Sequence, residues 1–532
     1  MKKTQAVFYD YVIIGSGFGG SVSALRLSEK GYRVLVIEKG KWHHNKDFPK
    51  TNWELKKWLW LPSLRLFGIL KLTFFRHVSV LSGVGVGGGS LVYANTLPRP
   101  KREFYKSGNW AGLADWEFEL QPHYATAEKM LGAIKNPKFY DADLALQKVA
   151  HKLGKSNEFE APKVAVFFGE PDKEIEDPYF NGDGPPRSGC QFCGQCMTGC
   201  PHNAKNTLDK NYLYLAQKMG TEILAERVVT SIEKIEVGYE VMHKNSTGFI
   251  RKEKNTIQTK GIILSGGVLG TVRLLADMKA KNKLPDLSSQ VGSHIRTNNE
   301  NLSLITSKNK KLDLSKGLAI GSIFPPNKDS HVEAVRYGKG SSFWKIPTIP
   351  MVYGKNVFIR MGRLIKELLF HPLDWIGMYF KRDYASKTVI LLFMQHLDST
   401  ISFKRGWFNL RSKVSEGTKP TPFIPMAKTI ADQVAEEING KAFMMSTDIL
   451  TGAPSTAHIL GGSVIGKDRS TGVIDVDHKV FGYENMYVCD GSAMSANPGV
   501  NPSLTITAMT ERVMSKIPKK KGKDEREKMN EI

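Results

Sequence analysis

Cysteine is scarce in this chain: five residues in 532, four of them between positions 190 and 200. Scattered cysteine pairs, the mark of a disulfide-stapled secreted domain, are missing, which favours a reducing compartment. No uninterrupted apolar run approaches the roughly 20 residues that span a bilayer, which argues against a transmembrane helix. No cleavage-site pattern follows the apolar start, so no signal peptide is expected and a cytoplasmic location is. Low-complexity sequence is confined to the charged end PKKKGKDEREKMNEI from Pro518, expected to be solvated and frayed. Acidic residues are in deficit, 52 against 75 basic ones, for a formal charge of +23. Such a balance suits nucleic acid, anionic membrane surfaces or acidic ligands. No zinc-finger spacing, aromatic sheet motif or helix-turn-helix signal accompanies it, so nucleic acid is not an expected partner. The length calls for two regions sharing a core or for two to three domains.

What cysteine there is forms a motif. Cys190, Cys193, Cys196 and Cys200, followed by Pro201, match C-x2-C-x2-C-x3-C-P, the run that holds iron–sulfur clusters in bacterial ferredoxins. There the fourth cysteine ligates a second cluster, whereas this chain has one run and one other thiol, Cys489. Structural zinc sites usually draw on two separated knuckles. An iron–sulfur cluster, a zinc ion and plain thiols or local disulfides all stay open.

The stretch YDYVIIGSGFGGSVSALRLSEKGYRVLVIEKG predicts strand, tight turn, helix, strand. Tyr11–Ile14 suit a buried parallel strand. Gly15 permits the turn, Gly17 lets backbone approach a pyrophosphate, and Gly20 allows close helix–strand packing. The free N–H groups and positive end of the following helix favour phosphate. Glu38, eighteen residues after Gly20 at the end of the strand Val34–Ile37, is placed to accept ribose hydroxyls. These parts together predict dinucleotide binding. A second glycine-dense loop, VLSGVGVGGGSLVYANTLPRP over 80–100, would let backbone lie against a flat or charged ligand without Cβ clashes.

The C-terminal stretch from Ala457 to Ile517 carries Asp490-Gly491 and then Gly499-Val500-Asn501-Pro502 before a helix starting near Ser503. It resembles the signature of the glucose–methanol–choline (GMC) flavin oxidoreductases. The similarity narrows to the bacterial, noncovalent-FAD cholesterol oxidases through GVGGGSLV (85–92), TLDKNYL (207–213), GIILSGGVLGTVRLL (261–275), LPDLSSQVG (284–292), HILGG (458–462) and GVNPSLTITAMTER (499–512), which occur in that group's order. The likeness covers most of the chain and is weaker over 300–450. Tyr93 stands where that group has Asn, and the cysteine run looks like a subgroup insertion.

The resemblance implies an α/β protein: a doubly wound, Rossmann-like FAD domain assembled from 1–100, 190–300 and 450–517. It further implies a discontinuous substrate domain, antiparallel sheet plus helices, from 101–189 and 301–449, with 518–532 as a charged tail. It implies noncovalent FAD held by Gly15, Gly17, Phe18, Gly19, Gly20, Glu38, Gly87, Gly88, Gly89, Ser90, Val229, Asp490, Gly491, Asn501 and Pro502. The reaction it implies is hydride removal from an alcohol carbon to the flavin, the protein taking the hydroxyl proton. The substrate would be a sterol, such as a 3β-hydroxysteroid, or a similar lipid alcohol. His458 falls at the family's active-site histidine, Asn501 at its paired position, and Glu333, in KDSHVEAVRYGKG, where the cholesterol oxidases carry a glutamate that also moves a proton in steroid double-bond isomerisation. A carboxylate in an apolar pocket gains basicity, which fits that role.

Two segments, 53–77 and 343–384, mix Trp, Leu and Phe with Lys and Arg and are expected to lie at a membrane interface, or else to be core helices with snorkelling lysines. The protein is then expected to be cytoplasmic and peripheral at the inner membrane surface. Two rival readings stay open: an iron–sulfur flavoprotein passing electrons to a quinone or protein acceptor, and a non-catalytic basic membrane-binding flavoprotein. Retention of both His458 and Asn501 argues against the second. The sequence is silent on oligomeric state.

Overall fold

The computed structural model describes residues 8–248, 253–406, 409–415 and 419–521. Two large sheets organise them. Their strands, in chain order, are β1 (Phe8–Ile14), β2 (Val34–Ile37), β3 (Glu222–Leu224), β4 (Arg227–Lys234), β5 (Tyr239–Asn245), β6 (Lys254–Leu264), β7 (Asn301–Ser307), β8 (Ile320–Phe324), β9 (Ser330–Val335), β10 (Thr348–Pro350), β11 (Thr388–Gln395), β12 (Gly440–Met445) and β13 (Met486–Val488).

The first sheet runs β3-β2-β1-β6-β5-β4, with β13 also pairing β6. Its centre is parallel: Tyr11–Ile14 lie in register with Val34–Ile37 on one side and Gly261–Leu264 on the other. These apolar runs are buried on both faces, as a parallel sheet demands. Helix α1 (Phe18–Glu29) follows the first turn, burying Val22, Ala24, Leu25 and Leu27. Helix α8 (Ser503–Lys516) packs on α1, and α2 (Trp116–Met130) packs on α8.

The second sheet, β8-β9-β11-β7-β12-β10, is antiparallel throughout. Its outer face is covered by α3 (Asp141–Lys152) and α7 (Pro425–Glu437), whose Leu146, Val149, Ile430 and Val434 join Ile305, Val332 and Leu391 in one apolar cluster. Three further helices, α4 (Gly267–Ala280) and the successive pair α5 (Val357–Phe370) and α6 (Pro372–Tyr379), complete the parts used below.

The division drawn at residue 101 does not follow the packing. Helix α2 belongs to the core around the parallel sheet through Trp116, Leu120 and Tyr124, whereas α3 belongs to the antiparallel one. The start of the tail is also tied down rather than frayed: Lys520 N–H donates to Lys30 O at 2.9 Å and its ammonium pairs with Asp10 at 2.6 Å. The remaining tail positions, 522–532, lie outside the described residues. The segment 53–77 is not a core helix. It forms one short helical turn and short strands that bury Trp58, Ile69 and Leu70.

Candidate active site

Where the first turn is made, a side chain at Gly15 is impossible: φ is +102° and a Cβ would sit 2.3 Å from Ser265 O. Two residues on, a Cβ at Gly17 would meet nothing within 4 Å, because this backbone borders open space at the start of α1. No side chain caps that helix and no acidic residue occupies its first turn, so its N–H groups and positive dipole end are free for an anion. The second glycine loop closes over the first, leaving room for only hydrogen at Gly88, whose Cβ would lie 2.6 Å from Gly17 Cα.

Between these loops and the antiparallel sheet lies a cavity of about 440 Å³. Gly15, Gly17, Phe18, Gly19, Glu38, Gly88, Gly89, Val229, Asp490, Gly491, Asn501 and Pro502 all line it. Gly20, Gly87 and Ser90 do not; they shape it from behind. A Cβ on Gly20 would lie 2.0 Å from Gly15 O, and the Ser90 hydroxyl closes the second loop by donating to Gly87 O at 2.7 Å while accepting from Leu208 N–H at 3.0 Å. Glu38 receives Ser16 N–H, the Ser16 hydroxyl at 2.8 Å and Gly40 N–H at 2.9 Å. Asp490 is held by the Ser492 N–H and by the Thr271 hydroxyl from α4, and burial raises its pKa. Tyr93 lies against Phe18, with its hydroxyl donating to Asn206 O at 2.8 Å.

The far wall is one face of the antiparallel sheet. Leu302 faces Leu392 and Leu304 faces Ile390 across β7 and β11, so all four point the same way, joined by Ile320, Val335 and Met445. Trp344, Tyr337, Leu70 and Leu81 finish an apolar compartment.

The polar groups converge where this compartment meets the glycine loops. His458 Nδ1 lies 2.5 Å from Glu300 Oε1, and Glu300 Oε2 accepts Ala457 N–H at 2.9 Å. Burial alone would lower the His458 pKa, but the charge and hydrogen bond of Glu300, with the charge of Glu333 behind, hold it above the ordinary value. With Nδ1–H given to Glu300, Nε2 is the free ring nitrogen, 3.5 Å from Asn501 Nδ2. Asn501 Nδ2 also donates to Glu333 Oε2 at 3.3 Å, leaving its Oδ1 a buried acceptor without a partner among the described residues. It precedes α8, whose N-terminus has no side-chain cap.

Glu333 is not on the cavity wall. It shares that sheet face but lies wholly buried under Asn501, fixed by His331 Nε2 at 2.9 Å. The carboxylate that borders the cavity and grips the histidine is Glu300, which the sequence reading missed. Its one signal was isolation: no other acidic residue stands between Asp286 and Asp313.

The cysteine run lies behind the cavity wall: Met197 lines the cavity, but none of the run's cysteines does. Cys190 and Cys200 pack with Val164, Val166 and Leu318, while Cys196 packs with Ala319 and Ile323. Burial pushes the Cys190, Cys193 and Cys196 thiols up, Cys193 to about 12. Among the described residues no group of three or more His, Cys, Asp or Glu side chains is arranged to hold a metal ion, so neither cluster nor zinc gains support. Beneath the run Lys205 is fully buried, its ammonium donating to the carbonyls of Leu91, Tyr93 and Cys196 at 3.0, 2.9 and 2.7 Å. Burial draws its pKa down to about 7.

The residues present suit FAD: two glycine loops leaving backbone bare, an uncapped helix start, a ribose-height carboxylate and an unpartnered Asn acceptor. Comparison with known proteins agrees. Residues 185–296 and 414–510 match the two GMC oxidoreductase models, and 13–42 match an NAD(P)-binding Rossmann-like domain. A cholesterol oxidase of Acinetobacter baumannii is 44% identical over 96% of this chain and 95% of its own, and one of Mycobacterium tuberculosis 43% identical over 97% and 92%. The crystal structure of pyridoxine 4-oxidase from Mesorbium loti shares the fold at a TM-score of 0.60, with 14% identity, over 95% of this chain and 98% of its own. With such identity running nearly end to end, and the nucleotide loops and histidine–asparagine pair in place, the chain belongs to the GMC oxidoreductase family, flavoproteins that act on CH–OH donors.

Proposed function

We propose that this protein oxidises the secondary hydroxyl of a sterol or similar lipid alcohol drawn from a membrane surface. One observation carries the reading: a carboxylate-held histidine and an asparagine with a spare acceptor sit at the end of an apolar compartment. The relatives named cholesterol oxidase support the choice of substrate class.

FAD, when bound, would supply the hydride acceptor. Gly15, Gly17, Gly88 and Gly89 would present bare backbone to the cofactor, Glu38 would hold its ribose, and Asp490 and Pro502 would complete its site. His458 Nε2 takes the hydroxyl proton, Glu300 holds the ring in the tautomer that leaves Nε2 free, and Asn501 orients the substrate oxygen. The apolar face of β7 and β11 excludes water and receives the hydrocarbon.

Isomerisation of a steroid double bond needs a group that moves a proton on the cavity side. We assign that part to Glu300, with Glu333 positioning Asn501 from beneath. An absorbance spectrum of the air-free holoenzyme tests the whole reading. Flavin bands bleach on addition of one equivalent of a 3β-hydroxysteroid; bands unmoved by both steroid and long-chain alcohol would refute it. Appearance of a conjugated ketone reports isomerisation, and E300Q stops it at the unconjugated ketone.

A further inference from the structure

No helix among the described residues is long and apolar enough to cross a membrane, yet α5 and α6 carry an unusual load of bare hydrocarbon. Phe358 is 84% exposed, Leu369 72%, Leu373 81% and Phe380 79%. On α5, Phe358, Ile365 and Leu369 recur at the spacing that stacks them on one stripe. The flank next to this stripe is already used: Met361, Leu364 and Leu368 pack against Val352, Met444 and Ile449. Its apolar face is therefore wider than the docked strip and continues onto open surface, whereas an ordinary surface helix buries its apolar face and turns the polar one outward. A contiguous patch of this kind marks an interaction site.

Charge identifies the partner. Lys355, Arg363, Lys366 and Arg382 are exposed around the stripe, and neither helix has a fully exposed carboxylate. Asp374, on α6, is neutralised between Lys308 and Lys441. Open hydrocarbon rimmed by cations is the pattern of a helix lying in the boundary of an anionic bilayer. The patch is also continuous with the cavity. Trp375 and Met378 of α6 belong to the same cluster as Trp344, Leu70 and Met445, which line the substrate compartment.

We infer that the helix pair 357–379 is a lipid-docking element that seats the protein on anionic bilayers, with its inner side forming part of the floor through which a lipid alcohol reaches the compartment. The inference rests on the lipid-alcohol reading for the identity of what crosses that floor, and on the patch alone for the docking.

Flotation of the full-length holoenzyme with phosphatidylcholine vesicles, with and without phosphatidylglycerol, tests it. The protein floats with the anionic vesicles. The triple variant F358S/L369S/L373S, altered only at exposed positions, loses roughly 100-fold in partitioning, and R363E/K366E loses the preference for phosphatidylglycerol. Both variants turn over detergent-dispersed 3β-hydroxysteroid at the parent rate and lose turnover of vesicle-embedded sterol in step with binding. Parent protein that floats with neither vesicle overturns the inference, as does a triple variant that floats unchanged. A parent dimer that becomes a monomer in the triple variant, with flotation unaltered, assigns the patch to self-association instead. Docking without any steroid oxidation in detergent refutes the substrate reading and leaves the docking element standing.

Discussion

Glu300→Gln isolates what the buried carboxylate does for His458. Glu300 accepts two bonds, Nδ1–H of the imidazole at 2.5 Å and Ala457 N–H at 2.9 Å. Glutamine has one acceptor oxygen, so one bond is lost and the charge with it, while the shape is kept. A hydrogen bond to a charged group contributes about 1.5–3 kcal/mol, and each 1.4 kcal/mol is a factor of ten, so kcat/KM falls about 10- to 100-fold. His458→Gln, which removes the base itself, costs more, about 10²–10⁴-fold. The pH profile separates this from a folding defect. Glu300 raises the His458 pKa, and the base works only when neutral, so activity rises as pH passes that raised value; in E300Q the acid limb moves to lower pH. Linkage gives stability the opposite sign. The raised folded value means the pair stabilises most below the unfolded histidine pKa, about 6.5, and that share fades as pH rises through the folded value. Steady-state kinetics from acid to neutral pH read both effects. An acid limb that stays in place, with the rate within about threefold of the parent, would refute the assigned role of Glu300, since so small a change is only ~0.65 kcal/mol.

Three other outcomes follow from the geometry. In G88A the new methyl, at φ +54°, meets Gly17 Cα at 2.6 Å, so the flavin-to-protein ratio after gel filtration drops and FAD affinity falls at least about tenfold, with the secondary structure unchanged by circular dichroism. In D143N the fully buried Arg336 loses its carboxylate, which also serves the Ser322 hydroxyl and Tyr140 N–H, and urea unfolding shows a loss of about 3–5 kcal/mol. In K205M three buried carbonyls lose their donors at once, at about 1–3 kcal/mol for each unpaired group, so the midpoint falls by more than that of C190S, whose thiol packs with apolar neighbours.

What could be read from sequence was what depends on near neighbours. Strand, glycine turn, helix and Glu38 lie within thirty residues, and their geometry follows from the turn itself. His458 and Asn501 were found through motif likeness, and they meet because β13 and the loops around it return to the parallel sheet. Glu300 was not found because nothing local marks it; it gains meaning only when the segment ahead of β7 crosses the one holding His458. Glu333 was named by motif position alone, and its burial under Asn501 could not be read, since strand alternation gives the face of a residue but not what lies over it. The same limit applies to 343–384, where composition showed an apolar, basic stretch but not which side of α5 the sheet already occupied. The placement of α2 was misjudged because its partner, α8, is almost four hundred residues away.

The parallel sheet has a consequence for how the molecule is made. Its centre joins β1, which ends at residue 14, to β6 and then to β13, which ends at residue 488. The 474 residues between these ends leave a ribosome at about 5–20 per second, so the first strand waits roughly 25–95 seconds for the last. Throughout that time Val12, Ile13 and Ile14 have no completed sheet to cover them. Such distant pairing is slow and leaves sticky edges exposed. The cavity draws on Gly15 and Gly17 near one end of the chain and on Asp490 and Asn501 near the other, so it is complete only when nearly all of the chain has been made.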